Sequence, residues 1–253
     1  RMLIPEALLT GSVRTTILAY GALLSEASSR LTFPDLSNFR LVRIKGYRRV
    51  FAHPHTFLLS QNLIDPTSSL RLASLSAEPT ATDGGVGFTA AAFDVNLDDT
   101  QREAFVTRER EYNIVSIPYY DIISSTPNDN DDGKVTTTTI MNTQQHSGYG
   151  VICLANSDDQ LPKDIITPLL ERLPNKSLWH WDFKSGLLPA DVYLRHCLLA
   201  VKKSGDEAER SFLEETYLAD RKTTLAEYLA DDSNESIVMN SLPPKHLMTR
   251  FNG

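Results

Sequence analysis

Thr15-Thr16-Ile17-Leu18-Ala19-Tyr20-Gly21-Ala22-Leu23-Leu24 opens as a short apolar run and ends in a glycine turn. The first six residues have the pattern of a buried strand. Gly21 lets the backbone turn sharply and approach a ligand closely. Successive N–H groups at such a turn form an anion-binding nest. An ordinary exit from a strand fits the same residues.

Strand signals continue outward from this stretch. Phe39 to Phe51 alternates apolar residues with arginines, as one long strand or as two short ones bent at Gly46. Phe57-Leu58-Leu59, Leu70 to Leu75 and Val86 to Val95 are further strand candidates, with a Gly84-Gly85 turn before the last. Leu97 to Arg108 shifts to helical period behind Asp98 and Asp99, and Asn113 to Tyr119 returns to strand. Asn128 to Gly133 and Gln144 to Gly148 are loops. The threonine-rich run Val135 to Met141 and the run Gly150 to Leu154 are strands.

Beyond residue 160 the pattern is helical, over Lys163 to Leu173, Pro189 to Ser204, Asp206 to Ala219 and Thr224 to Leu229. The fold class expected is α+β: a β-rich first half, a helical second half, and an irregular tail over 231–253.

Composition narrows the function classes. At 253 residues and 41% hydrophobic, the chain can bury one sizeable core. A net charge of −7 argues against nucleic acid as a partner. The short basic cluster Arg40, Arg43, Lys45, Arg48 and Arg49 reads as the solvent face of a strand. Cys153 and Cys197 sit among apolar neighbours, too few for a disulfide framework or a cysteine zinc site. A reducing, cytoplasmic setting is expected, with organelle import left open because residues could precede Arg1-Met2. No apolar run approaches the ~18 residues of a membrane helix, so no membrane partner is expected.

Arg108-Glu109-Arg110-Glu111-Tyr112 is the second functional candidate. Alternating charges usually form a solvated face. At a helix-to-strand junction, however, one carboxylate can turn into a cavity.

Taken together, these stretches resemble gamma-glutamylcyclotransferase-like proteins. Tyr20-Gly21-Ala22-Leu23-Leu24 resembles the Tyr-Gly-Ser-Leu/Asn signature after that family's first strand. Phe39 to Phe51, Leu75 to Pro79 and Val86-Gly87-Phe88 are similar to its later strands, and Glu109 is placed like its catalytic glutamate. The resemblance covers roughly residues 14 to 155 and implies a mixed β-barrel core there, with a helical C-terminal extension over 156–230 packed on it. Where the family usually carries Ser, this chain carries Ala22, which removes one side-chain hydroxyl and keeps the backbone N–H groups.

The resemblance implies release of 5-oxoproline from a small-molecule gamma-glutamyl substrate, with no metal or organic cofactor. Gly21, Ala22 and Leu23 would hold the α-carboxylate, and Glu109 would move the proton, with Glu111 as the alternative. Tyr20 and Tyr112 would line the pocket or pack in the core. A non-catalytic binding module on the same fold is the second reading. Oligomeric state and the leaving group are not legible.

Several other residues have plainer readings. Glu78 reads as an exposed strand end, His53-Pro54-His55 as a surface turn, and His180 as part of a packing cluster with its flanking tryptophans. His196 and Cys197, adjacent on a helix, point about 100° apart and do not form a nucleophile pair.

Overall fold

A computed structural model describes residue 8 and residues 14–81, 86–124, 139–141 and 145–253. The Gly84-Gly85 turn, the 128–133 loop, Gln144 and most of the 135–141 run lie outside the described residues.

The first strand, β1 (Thr15–Ala19), is central. It pairs antiparallel with β5 (Gly87–Val95), which pairs antiparallel with β2 (Ser37–Lys45). β2 continues to β6 (Asn113–Ser124), β6 to β8 (Gly148–Leu154), and β8 returns parallel to β1. These five strands close a barrel. Every residue of β5 is buried, and its Ala90-Ala91-Ala92 run lets neighbouring layers approach both faces. Phe39, stacked on Phe93 with ring centroids 6.1 Å apart, belongs to the same apolar core.

Gly46 separates the barrel from an outer layer. Its φ of +77° is a left-handed conformation that glycine adopts without steric cost. Past it, β3 (Tyr47–Pro54) leaves β2 and pairs antiparallel with β4 (Arg71–Pro79), so the two-strand reading of Phe39 to Phe51 holds. β4 touches the barrel where Ala77 meets Leu154 of β8. The segments β9 (Leu188–Pro189) and β10 (Thr216–Tyr217) extend this layer on β4 and β3, and β7 (Thr139–Met141) pairs with β6.

Helices with described bounds are α1 (Glu26–Thr32), α2 (Thr56–Ser60), α3 (Asp99–Arg108), α4 (Lys163–Leu170), α5 (Asp191–Lys203), α6 (Asp206–Glu214), α7 (Leu225–Leu229) and α8 (Asp232–Asn240). α3 begins in a reciprocal capping box between Asp98 and Gln101. α5 buries Leu194, Cys197, Leu198 and Val201. Its last turn is fastened by the Ser204 hydroxyl, which donates to the Leu24 carbonyl at 2.7 Å.

Five expectations need correction. Phe57-Leu58-Leu59 is one turn of helix, because Leu58 and Leu59 are both fully buried and a strand would turn them to opposite sides. Pro189 belongs to a strand, and Ala190 caps α5. α6 stops at Glu214, since the next residues pair with β3. Residues 231–253 are not an irregular tail: Asp231 accepts from the Ser233 N–H, α8 follows, and Val238 and Phe251 are buried. Finally, Arg49 is fully buried and Arg43 nearly so, because α6 and β10 cover the face assigned to solvent.

Arg49 shows how such a group is accommodated. A buried guanidinium must find acceptors. Its Nε donates to Thr216 Oγ1 at 2.7 Å, Nη1 to the Tyr20 and Thr89 carbonyls at 3.2 Å each, and Nη2 to the Ser211 carbonyl at 2.8 Å. Phe88 and Phe212 flank its plane. Burial lowers its pKa to about 9, so it stays charged at neutral pH. Arg49 therefore ties the end of β1, beside Gly21, to β5, α6 and β10.

Candidate active-site cleft

The turn after β1 and the junction after α3 meet in one cleft of about 700 Å³. Ala22, Leu23, Glu109, Glu111 and Tyr112 line it, joined by Ser74, His55 and Tyr193. The segment from His246 to Phe251 completes the wall.

Residues Ala22–Leu24 form a short 3-10 turn closed by the Leu24 N–H on the Gly21 carbonyl at 2.9 Å. Among the described residues, no acceptor takes the N–H of Gly21, Ala22 or Leu23. Gly21 lies against Tyr193: a Cβ there would stand 2.8 Å from the Tyr193 hydroxyl oxygen and 3.3 Å from Leu75 Cδ1.

Glu109 is the C-cap of α3, where the helix dipole disfavours a negative charge. Its Oε1 receives Arg108 Nε at 2.9 Å. Although 17% of its side chain remains exposed to the cleft, burial pushes its pKa up to about 7. Arg108 and Arg250 oppose that shift and Glu111 adds to it. Glu111 is also raised by burial, and its Oε1 accepts from the Thr56 hydroxyl at 2.7 Å. A carboxyl with a pKa near 7 is suited to proton transfer near neutrality. Its carboxylate interacts with Tyr20, Tyr112, Tyr193 and Cys153, whose pKa values all lie raised, first of all by burial.

The two tyrosines differ in place. Tyr112 lines the cleft, with its hydroxyl donating to the Leu75 carbonyl at 3.0 Å. Tyr20 stands behind the turn, 8% exposed, with its hydroxyl donating to the Cys153 carbonyl and its ring edge-on to Phe88. It packs in the core and supports the cleft from beneath.

Glu78 is away from the cleft, paired with Arg48 at 2.7 Å and Arg221 at 3.3 Å. His53-Pro54-His55 is not a surface turn. His53 is fully buried, stacks on Trp179 at 4.2 Å and is held neutral by burial, with its pKa at about 3. His55 lines the cleft and meets the Tyr193 ring edge-on at 4.6 Å. Trp179 and Trp181 are buried while His180 is exposed and contacts Asp158. His196 Nδ1 accepts the Gly253 N–H at 2.8 Å, which leaves Cys197 without a base on that nitrogen.

Ser74, Tyr193 and Arg250 were not legible as site residues. Tyr193 looked like part of a helical apolar stripe, and Arg250 lies where nothing local in the sequence marks a docked segment. Among the described residues, no cluster of three or more His, Cys, Asp or Glu is placed to hold a metal ion, and no helix is long and apolar enough to cross a membrane.

No protein-family model matches the chain, and no curated protein sequence matches it. Among solved structures it is similar to a yeast gamma-glutamyl cyclotransferase specific to glutathione, at 11% identity over 78% of this chain and 95% of that one, with a TM-score of 0.40. It is also similar to a gamma-glutamyl cyclotransferase at 13% identity, 64% and 80% coverage and a TM-score of 0.35. A third is an uncharacterized protein from Homo sapiens at 10% identity, 57% and 68% coverage and a TM-score of 0.37. What the cleft can do rests on its own residues.

Proposed function

We propose that this chain is a gamma-glutamyl cyclotransferase-type enzyme, which releases 5-oxoproline from a gamma-glutamyl amino acid, peptide or amine. The observation that carries this reading is a carboxyl group with a pKa raised to about 7, lining the same cleft as a turn with free N–H groups.

The reaction is an internal acyl transfer. The N–H groups of Gly21, Ala22 and Leu23 hold the substrate's α-carboxylate. That contact folds the chain so that the α-amine faces its own γ-carbonyl, and nucleophile and electrophile then react within one molecule. The uncharged amine attacks the γ-carbon, and Glu109 takes the proton that the attacking nitrogen sheds. The bond from the γ-carbon to the leaving nitrogen then breaks, and Glu109 returns the proton to that nitrogen. A five-membered lactam and a free amine result, with no water, redox partner or external acyl acceptor consumed. A base poised near neutrality contributes roughly 10²–10⁴-fold to such a step.

Ala22 favours a second reading, a module that binds small carboxylates without turnover, because the side chain there offers no hydroxyl. Incubation with a panel of gamma-glutamyl amino acids, peptides and amines separates the two. The cyclotransferase reading expects 5-oxoproline from at least one member. Binding of the panel without release would overturn it in favour of the module.

A further inference from the structure

We propose that Arg250 reads a carboxylate on the leaving half of the substrate, so that the cleft favours gamma-glutamyl amino acids and peptides over gamma-glutamyl amines. This inference rests on the cyclotransferase reading above.

The cleft holds two arginines in different circumstances. Arg108 is engaged by Glu109 at 2.9 Å and donates to the Thr32 hydroxyl at 2.8 Å. Arg250 has no carboxylate within ion-pair distance among the described residues, and no acceptor takes its guanidinium N–H groups. Its guanidinium carbon lies 3.7 Å from the centre of the Phe57 ring and 5.9 Å from that of Phe251. Stacking fixes a guanidinium by its face and leaves its edge, with the paired N–H donors, free for a planar anion. Carboxylate is the anion that such an edge meets with two parallel hydrogen bonds.

Among its close neighbours, only Glu109, itself paired with Arg108, acts on the Arg250 charge as an anion. Burial holds His55 and His196 neutral, with pKa values of about 3 and about 4, and Arg250 itself contributes to both shifts. Burial and the like charge of Arg108 lower the pKa of Arg250, while Glu109 works the other way.

The position is built in advance of any ligand. Phe251, 3% exposed, packs with Leu58 and Ala190 in a small separate apolar cluster. The Arg250 N–H donates to the Leu247 carbonyl at 3.0 Å, and the Gly253 N–H is held by His196. Ordering that precedes binding removes part of its entropic cost.

The gamma-glutamyl half carries one carboxylate, already assigned to the turn at Gly21, Ala22 and Leu23. Its amine and γ-carbonyl belong at Glu109. A cleft of about 700 Å³ has room beyond that half. The carboxylate left for Arg250 is therefore on the departing amine.

Calorimetric titration of the Glu109→Gln protein, which keeps the ligand intact, compares gamma-glutamylglycine with its C-terminal amide. The acid is expected to bind roughly 10- to 100-fold more tightly, the range of a charge-assisted hydrogen-bonded pair. Adding Arg250→Gln is expected to bring that ratio to within about threefold, and Arg250→Lys to keep part of it. Equal binding of acid and amide with Arg250 present would overturn the proposal. So would a ratio that survives Arg250→Gln while both ligands weaken together, which would assign Arg250 to the α-carboxylate. Wild-type turnover is followed in parallel: an acid preference that depends on Arg250, without any 5-oxoproline release, would overturn the cyclotransferase reading and leave Arg250 as a carboxylate reader.

Discussion

The hydroxyl of Tyr193, in the first turn of α5, rests against the Cα of Gly21 so closely that a Cβ would come within 2.8 Å of it. The turn after β1 and α5 are thus fitted to each other here as well as at the Ser204–Leu24 hydrogen bond. Gly21→Ala is expected to destabilise the protein by about 1–3 kcal/mol through overpacking. Tyr193→Phe removes the offending oxygen, and the double variant is expected to recover most of the loss. A double-variant cycle by urea unfolding checks this; strict additivity would contradict the contact.

The pH profile follows from the neighbours of Glu109. As a base it acts in its carboxylate form, so kcat/KM is expected to rise with pH and level off above about 7. Glu111→Gln removes a negative neighbour that raises the Glu109 pKa, and the acid limb is expected to move to lower pH. Arg108→Ala removes the cation that lowers it, and the limb is expected to move higher. Profiles of 5-oxoproline release on one substrate read both shifts, and opposite or absent movements would remove Glu109 from the limb.

The same carboxyl sets a stability trend. Its folded pKa of about 7 lies above its ordinary 4.5, so between these values the folded protein keeps a proton that the unfolded chain has lost. Stability from this group falls as pH rises through that window. Below about pH 4.5 both states are protonated and the penalty is absent. Glu109→Gln is accordingly expected to be more stable than the wild type at pH 8 by about 1–3 kcal/mol, with the difference fading toward pH 4.5. Thermal unfolding at several pH values tests the sign. Such a trade between a buried, destabilised carboxyl and the stability of its fold is what the proposed role of Glu109 would bring.

Ala22→Ser adds a hydroxyl at the mouth of the free N–H turn. One further neutral hydrogen bond to the bound substrate is expected to raise kcat/KM roughly 2- to 10-fold. A fall in kcat/KM with unchanged stability would mean that the substrate does not lie on this turn.

Much of the barrel was legible because its signals are local. The strand-and-glycine pattern at residues 15–24, the bend at Gly46 and the capped helix before Glu109 each follow from a few adjacent residues. The turn at Gly21, Ala22 and Leu23 and the junction at Glu109 and Tyr112 each read locally as ordinary element ends; the family resemblance is what joins them as candidates. What was not legible depends on distant partners. Arg43 and Arg49 look exposed until α6 and β10, more than 150 residues later in the chain, cover them. His53 and His55 look like a turn until Trp179 and Tyr193 pack on them. The 231–253 segment is polar enough to pass for a loose tail, and its place is decided by Val238, Phe251 and the hydrogen bond to His196. Arg250 inherits its position from that docking.

The central claim is that Glu109 carries the proton in a lactam-forming release of 5-oxoproline. The direct measurement is kcat/KM for that release by the wild type and by Glu109→Gln, with Glu111→Gln as the neighbouring control. The account predicts a loss of about 10²–10⁴-fold in Glu109→Gln, with a much smaller change in Glu111→Gln. Release that persists undiminished in Glu109→Gln would contradict it.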